Sequence, residues 1–258
     1  MTAWHLKSSD FLGLKLSRLD LGAVLTSVDV AVAEQRPLYH CVLNASKVVA
    51  AARDVELRQL LNSFDLINAD GQSVVWAARL LGMGQFERIT GIDLMQTLLA
   101  RASARHYSVY FLGATEAVLR SMIDNMARRH PALRIAGSHH GYFQAEDEPS
   151  LCDRINGSDA DLLFVGTPSP MKERFLIHNR TRLTVPFAMG VGGTFDVLAG
   201  TIQRAPRFLQ ETGLEWAFRL AQEPRRLWKR YLYSNSRFVW LVARKRLQRG
   251  ILSATADV

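Results

Sequence analysis

The chain is poor in cysteine, in long apolar runs and, over its last part, in acids. Two cysteines among 258 residues, Cys41 and Cys152, build no disulfide framework and share no metal-ligand spacing. Cys41 lies in the apolar run Tyr39-His40-Cys41-Val42-Leu43 and reads as a small buried hydrophobe, a usage that suits a reducing cytoplasm. No window approaches the roughly 18 apolar residues of a membrane-spanning helix. Met1 to Asp10 has no apolar core behind a positive stretch, so no signal peptide is expected.

Acids are scarce where cations are dense. From Arg219 to Arg249 there are ten cations, among them Arg225, Lys229, Arg230, Arg237 and Arg244, against one acid, Glu223. That segment carries +9 of a total of +8, which leaves −1 for everything else. A neutral body with a basic tail points to a docking element rather than to a nucleic-acid-binding protein, which would need a basic body as well.

What the sequence has in quantity is alternation. Strand-like runs at Tyr39–Leu43, Asp65–Ala69, Ser108–Leu112, Leu133–Ala136, Asp161–Val165 and Val185–Met189 are separated by helical patterns. The clearest of these are Lys47–Asn62, Gly91–Ala104 and Thr115–Arg129. This predicts an α/β fold, a Rossmann-like and mostly parallel sheet with helices on both faces. Residues 1–37 are expected to form a hairpin or short helices, and 144–161 a solvated loop and helix. We place a body at 1–200 and a C-terminal helical, membrane-associating appendage at 201–258. There Leu227, Tyr231, Ser234, Phe238 and Leu241 fall on one helical face among arginines, lysines and three of the five tryptophans. Such a helix suits an anionic lipid surface.

Ligands of parallel sheets gather beyond the carboxyl ends of the strands, where the sequence puts Asn44, Asp70, Gly113, Gly166 and the cluster Gly190, Gly192, Gly193. A strand-end carboxylate such as Asp70 serves as a general base when it reaches the proton, although Asp70-Gly71 is also an ordinary turn signal. Arg88 precedes a helix start from which it can reach an anion. Thr90 and Asp93 have capping-box spacing, which makes Asp93 a helix-start residue. Gly190-Val191-Gly192-Gly193-Thr194-Phe195-Asp196 lets backbone N–H groups approach a phosphate. The third glycine of a dinucleotide fingerprint would fall at Phe195, which argues against a nicotinamide dehydrogenase or an epimerase. His139-His140 is read as no metal site, because adjacent strand residues point to opposite faces.

Taken together, seven stretches resemble the WecG/TagA/CpsF family of bacterial glycosyltransferases from about residue 44 to 242. They are Leu43-Asn44-Ala45-Ser46-Lys47, Asn68-Ala69-Asp70-Gly71, Arg88 to Asp93, His139 to Phe143, Gly190 to Asp196, Arg204-Ala205-Pro206-Arg207 and Gly213-Leu214-Glu215-Trp216. The resemblance implies an inverting, metal-independent transferase that needs no cofactor. It implies a UDP-sugar donor and an acceptor sugar on polyprenyl diphosphate, at the cytoplasmic face of the inner membrane. The family's base matches Asp70, its cleft asparagine Asn44 and its functional arginine Arg88. The uridine nucleotide region matches Gly192, Gly193 and Asp196, and Arg219 and Arg226 match appendage arginines that reach over the cleft. Two residues depart from the pattern: Val42 stands where many members have threonine, and Lys172 where many have glutamine. Lys172 adds a point charge suited to phosphate or carboxylate. A non-catalytic membrane scaffold of a polysaccharide assembly complex, or a nucleic-acid-binding protein using the basic tail, is the alternative reading, and a homo-oligomer is left open.

Overall fold

The computed structural model describes residue 4 and residues 6–256, except the side chains of 226, 230 and 249–256. A hairpin, β1 (Ser8–Phe11) and β2 (Leu14–Ser17), and helix α1 (Leu21–Ala33) open the chain. Then follow β3 (Leu38–Leu43), α2 (Ala45–Arg53), α3 (Val55–Asn62), β4 (Leu66–Ala69), α4 (Gln72–Leu80), α5 (Gly91–Arg105), β5 (Ser108–Gly113) and α6 (Glu116–Arg129). Next come β6 (Arg134–His139), α7 (Glu148–Asn156), β7 (Leu162–Gly166), α8 (Met171–His178), β8 (Phe187–Gly190) and α9 (Thr194–Ala199). The last helices are α10 (Arg207–Glu211), α11 (Glu215–Gln222) and α12 (Pro224–Ala256).

All six predicted strands form, in the order β4-β3-β8-β7-β5-β6, and every pairing is parallel. Strands β3, β5 and β8 are buried along their whole length, as a sheet covered on both faces requires. One face is packed by the hairpin, α2, α3, α4, α7, α8 and α12, through residues such as Leu16, Val48, Leu57, Val74, Phe175 and Phe238. The other carries α1, α5, α6 and α9, through Val24, Leu94, Leu119 and Phe195.

The structure redraws three local readings. The helix expected over Lys47–Asn62 is two helices. Asp54, at φ −119° and ψ 108°, leaves the helical region and its carboxylate caps α3 by accepting from Leu57 N at 2.9 Å. A short acidic side chain gains more as a cap than inside a helix. The helix within 144–161 is only partly solvated, since Leu151, Cys152 and Ile155 are buried.

The apolar stripe of the basic tail packs inward rather than outward. Leu227, Ser234 and Phe238 face the body and are buried, with Val242 in line below them. Phe238 lies 6.4 Å from Phe11, and Ser46 Oγ donates to Ser234 Oγ at 3.1 Å. This face of α12 is core, because α2 and the hairpin otherwise lack a cover. What α12 turns outward is a different row, Trp228, Leu232, Val239, Trp240 and Leu247, all exposed. Arg237 lies over the Trp240 ring at 4.0 Å and Lys229 over Trp228 at 5.5 Å. No helix among the described residues is long and apolar enough to cross a membrane.

Candidate active site

Asp70, Asn44 and the glycine cluster follow β4, β3 and β8, three neighbours in the sheet. Two strand spacings of about 4.8 Å put the Asp70 end roughly 10 Å from the Gly190 end, with Asn44 between them. Local bonds place each one. Asp70 N donates to Leu43 O at 2.9 Å, and Asp70 Oδ1 accepts from Gly91 N at 3.2 Å, at the first turn of α5. The half-buried carboxylate thus sits at the positive end of a 15-residue helix. Asn44 caps α2, its Oδ1 accepting from Lys47 N at 3.1 Å, and its Cβ lies 3.7 Å from where a Cβ on Gly71 would stand.

Arg88 does something other than wait for an anion. Its Nε donates to Asp70 O at 3.0 Å, its Nη1 to Gln210 O at 2.6 Å, and its Nη2 pairs with Glu215 Oε2 at 2.8 Å. All three nitrogens are engaged, so Arg88 ties the Asp70 end of the cleft to α10 and α11. Arg204 reinforces this tie by pairing with Asp93 at 2.7 Å and approaching Glu215 at 3.7 Å. Asp93 is a helix-start residue, its N–H donating to Thr90 Oγ1 at 3.1 Å.

Glu215 and Arg219 are one turn apart on α11. With Glu215 held at the Asp70 end, Arg219 reaches the other end of the row. Its Nη2 lies 3.1 Å from where a Cβ on Gly193 would be, and Asp196 Oδ2 lies 3.8 Å from the same point. Gly192 has φ +57°, a left-handed conformation that suits the residue without a Cβ. The side chain of Lys172 runs under this turn. Its Cδ would be 2.9 Å from a Cβ on Gly190, and its Nζ 3.8 Å from one on Gly192. Arg226 belongs to α12, but its side chain lies outside the described residues.

Two residues to which the sequence assigned no role, Lys47 and Glu173, join the site here. Glu173 Oε1 forms ion pairs with Lys47 Nζ at 2.8 Å and with Lys172 Nζ at 3.1 Å, and all three side chains are nearly fully buried. Lys47 Nζ also donates to Val42 O at 2.7 Å and lies 3.2 Å from Cys41 Sγ. Burial works against the charge of Glu173, but the two ammonium groups outweigh it and bring its pKa down to about 2. Lys172 is lowered, by burial first and by Lys47 next. The sequence did carry a signal, since Lys47 is the lone charge in the run Ala45-Ser46-Lys47-Val48-Val49-Ala50.

The other half of this edge is closed by backbone. A Cβ on Gly113 would stand 2.6 Å from Gly166 Cα, so the ends of β5 and β7 touch through their main chains. The rings of His139 and His140 lie together, 4.4 Å apart, because β6 ends at His139 and strand alternation stops there. His139 Nδ1 meets His140 O at 2.8 Å, and Tyr142 N donates to His140 Nδ1 at 3.2 Å. Among the described residues, no group of three or more His, Cys, Asp or Glu side chains could hold a metal ion. A hollow of about 260 Å³ lined by Gln35, Asn156, Asp159 and Thr184 lies at the amino ends of the strands, away from these groups. The model of the glycosyl transferase WecG/TagA/CpsF family matches residues 9–251.

Proposed function

Because the chain belongs to the glycosyl transferase WecG/TagA/CpsF family, we propose that it transfers a sugar from a UDP-sugar to a polyprenyl-diphosphate-linked sugar. The transfer inverts the anomeric carbon, uses no metal, and serves cell-surface or exopolysaccharide synthesis. The observation that carries the reading is the row Asp70, Asn44, Gly190–Gly193 on one sheet edge, with Lys172 beneath one end and Arg219 above it.

Asp70 takes the proton of the acceptor hydroxyl as its oxygen attacks the anomeric carbon. The bond from that carbon to the diphosphate breaks on the opposite side, and UDP leaves with the electron pair. Lys172 and Arg219 hold the charge that develops on the diphosphate oxygens. Asn44 caps α2 with its oxygen and offers its amide N–H groups to the donor, as Asp196 offers its carboxylate to hydroxyls. Arg88, with its partners Asp70 O, Gln210 O and Glu215, positions the residues 201–258 as an appendage over the cleft.

The protein works as a peripheral protein at the cytoplasmic face of the membrane. The outward row of α12, three apolar and two tryptophan side chains flanked by cations, favours an anionic headgroup zone. The test is UDP release against a panel of UDP-sugars, with a lipid-linked sugar acceptor in anionic vesicles. The reading requires turnover that depends on the acceptor. Tight UDP binding without transfer to any acceptor would leave a scaffold instead.

A further inference from the structure

Buried charge is costly unless it is matched, and the trio beneath the glycine turn is not matched within itself. Lys47, Lys172 and Glu173 contribute two positive charges and one negative. Glu173 Oε1 is in ion-pair contact with both lysines, and neither carboxylate oxygen has a partner in hydrogen-bond geometry. Cys41, the other titratable group beside Lys47, has its thiol pKa raised by burial and adds no negative charge. Lys47 is fully occupied by Glu173, Val42 O and Cys41. Lys172 has Glu173 on one side and the Gly190–Gly192 turn on the other. The free direction of its ammonium is therefore the cleft.

We propose that Glu173 is a positioning residue that aims the ammonium of Lys172 into the cleft, where it receives an anionic oxygen of the donor that completes the charge of the trio. The oxygen belongs either to the diphosphate or to a carboxylate on the donor sugar. The proposal rests on the nucleotide-sugar reading above for the donor's identity, but not for the existence of the anion site. Burial and the neighbouring Lys47 both disfavour a proton on Lys172, so a bound anion also stabilises that proton. Affinity falls with rising pH at a lower pH than an ordinary lysine would dictate. Lys47, Glu173, Cys41, and Asp196 and Arg219 at the turn are the charged or titratable groups around it.

The experiment is equilibrium binding of inorganic pyrophosphate, UDP, UDP-glucose and UDP-glucuronate to the full chain and to Lys172→Gln, with a thermal melt to verify folding. The expected result is a loss of about 10- to 100-fold in the variant, with a weaker salt and pH dependence. The same loss for all four ligands identifies the diphosphate as the source, and a loss for UDP-glucuronate alone identifies the sugar carboxylate. A folded variant that binds all four within twofold of the parent overturns the anion site, as does a parent that binds none of them. Glu173→Gln should weaken binding in the parent but add nothing in the Lys172→Gln background. Equal losses in both backgrounds overturn the positioning role. A parent that binds all four ligands in this pattern yet transfers no sugar leaves the subsite standing and removes the transferase reading.

Discussion

At the amino ends of the strands, Asp65 and Asp161 each accept a backbone N–H at the start of the adjacent strand, from Tyr39 and Ser108, both at 2.8 Å. Asp65 also accepts both oxygens' worth of bonding from Arg180, and the Arg180 guanidinium covers the Tyr39 ring at 4.8 Å. At the carboxyl ends, Asp70 accepts one backbone N–H, and Lys172 and Arg219 converge on a glycine turn with positive charge to spare. The same residue types are used at both ends, but only at the amino ends are the charges matched within the fold. A carboxylate whose bonds are all made is structure, and one with capacity left over is available for chemistry.

Exchanging the acid for its amide at each end should separate the two roles most clearly. Asp70→Asn should lower turnover by about 10²- to 10⁴-fold while UDP affinity stays within twofold. Asp65→Asn should leave turnover per folded molecule near the parent and lower the melting temperature. Steady-state kinetics beside thermal melts decide this, and the reverse pattern removes Asp70 from its role.

Between the two ends, in the middle of the sheet, His40 supplies a pH test of the closed part. It is fully buried, with its Nε2 2.9 Å from Asn68 Oδ1. Burial brings its pKa down to about 4 from 6.5, the Asn68 contact opposing this only in part. The unfolded chain therefore binds a proton more readily, so stability is full above about 6.5 and falls as the pH drops toward 4. The loss amounts to about 3 kcal/mol. Denaturant melts across this range should show it, and His40→Gln should flatten the slope. A parent whose stability is unchanged from pH 7 to 4 contradicts the assignment.

The tie between the open end and α10–α11 is sharpened by Arg88→Ala. Three bonds are lost, and amide exchange over residues 207–222 should quicken by an amount equivalent to about 1–3 kcal/mol, with little change in β3 or β8. Uniform protection before and after would mean that Arg88 does not hold these helices. The smallest effect is expected on the two faces of α12. Leu232→Glu, on the outer face, should reduce binding to anionic vesicles severalfold, roughly as the loss of one buried apolar side chain predicts, without moving the melting temperature. Vesicle binding equal to the parent would remove this face from the membrane.

Much of this was legible in the residues. The strands announced themselves as short apolar runs, and the positions just past them, Asn44, Asp70 and Gly190, follow from topology once the sheet is parallel. Thr90 with Asp93 was readable from spacing alone. Arg88 was not, because its partners Gln210 and Glu215 are more than 120 residues away. The stripe on α12 was found by its period, but a helical period reports that a face is covered and not by what. Phe11 and α2 cover it here.

The sequence by itself determined the order of strands and helices and the identity of the residues at each strand end, since hydrophobic period, caps and turn residues act over a few positions. Tertiary structure alone decided which charges are spent and which are spare. Lys47 lies more than 120 residues from the neighbours Lys172 and Glu173, and it meets them only once β3 and β8 lie side by side. Burial then makes the balance of those charges a matter of energy rather than of composition.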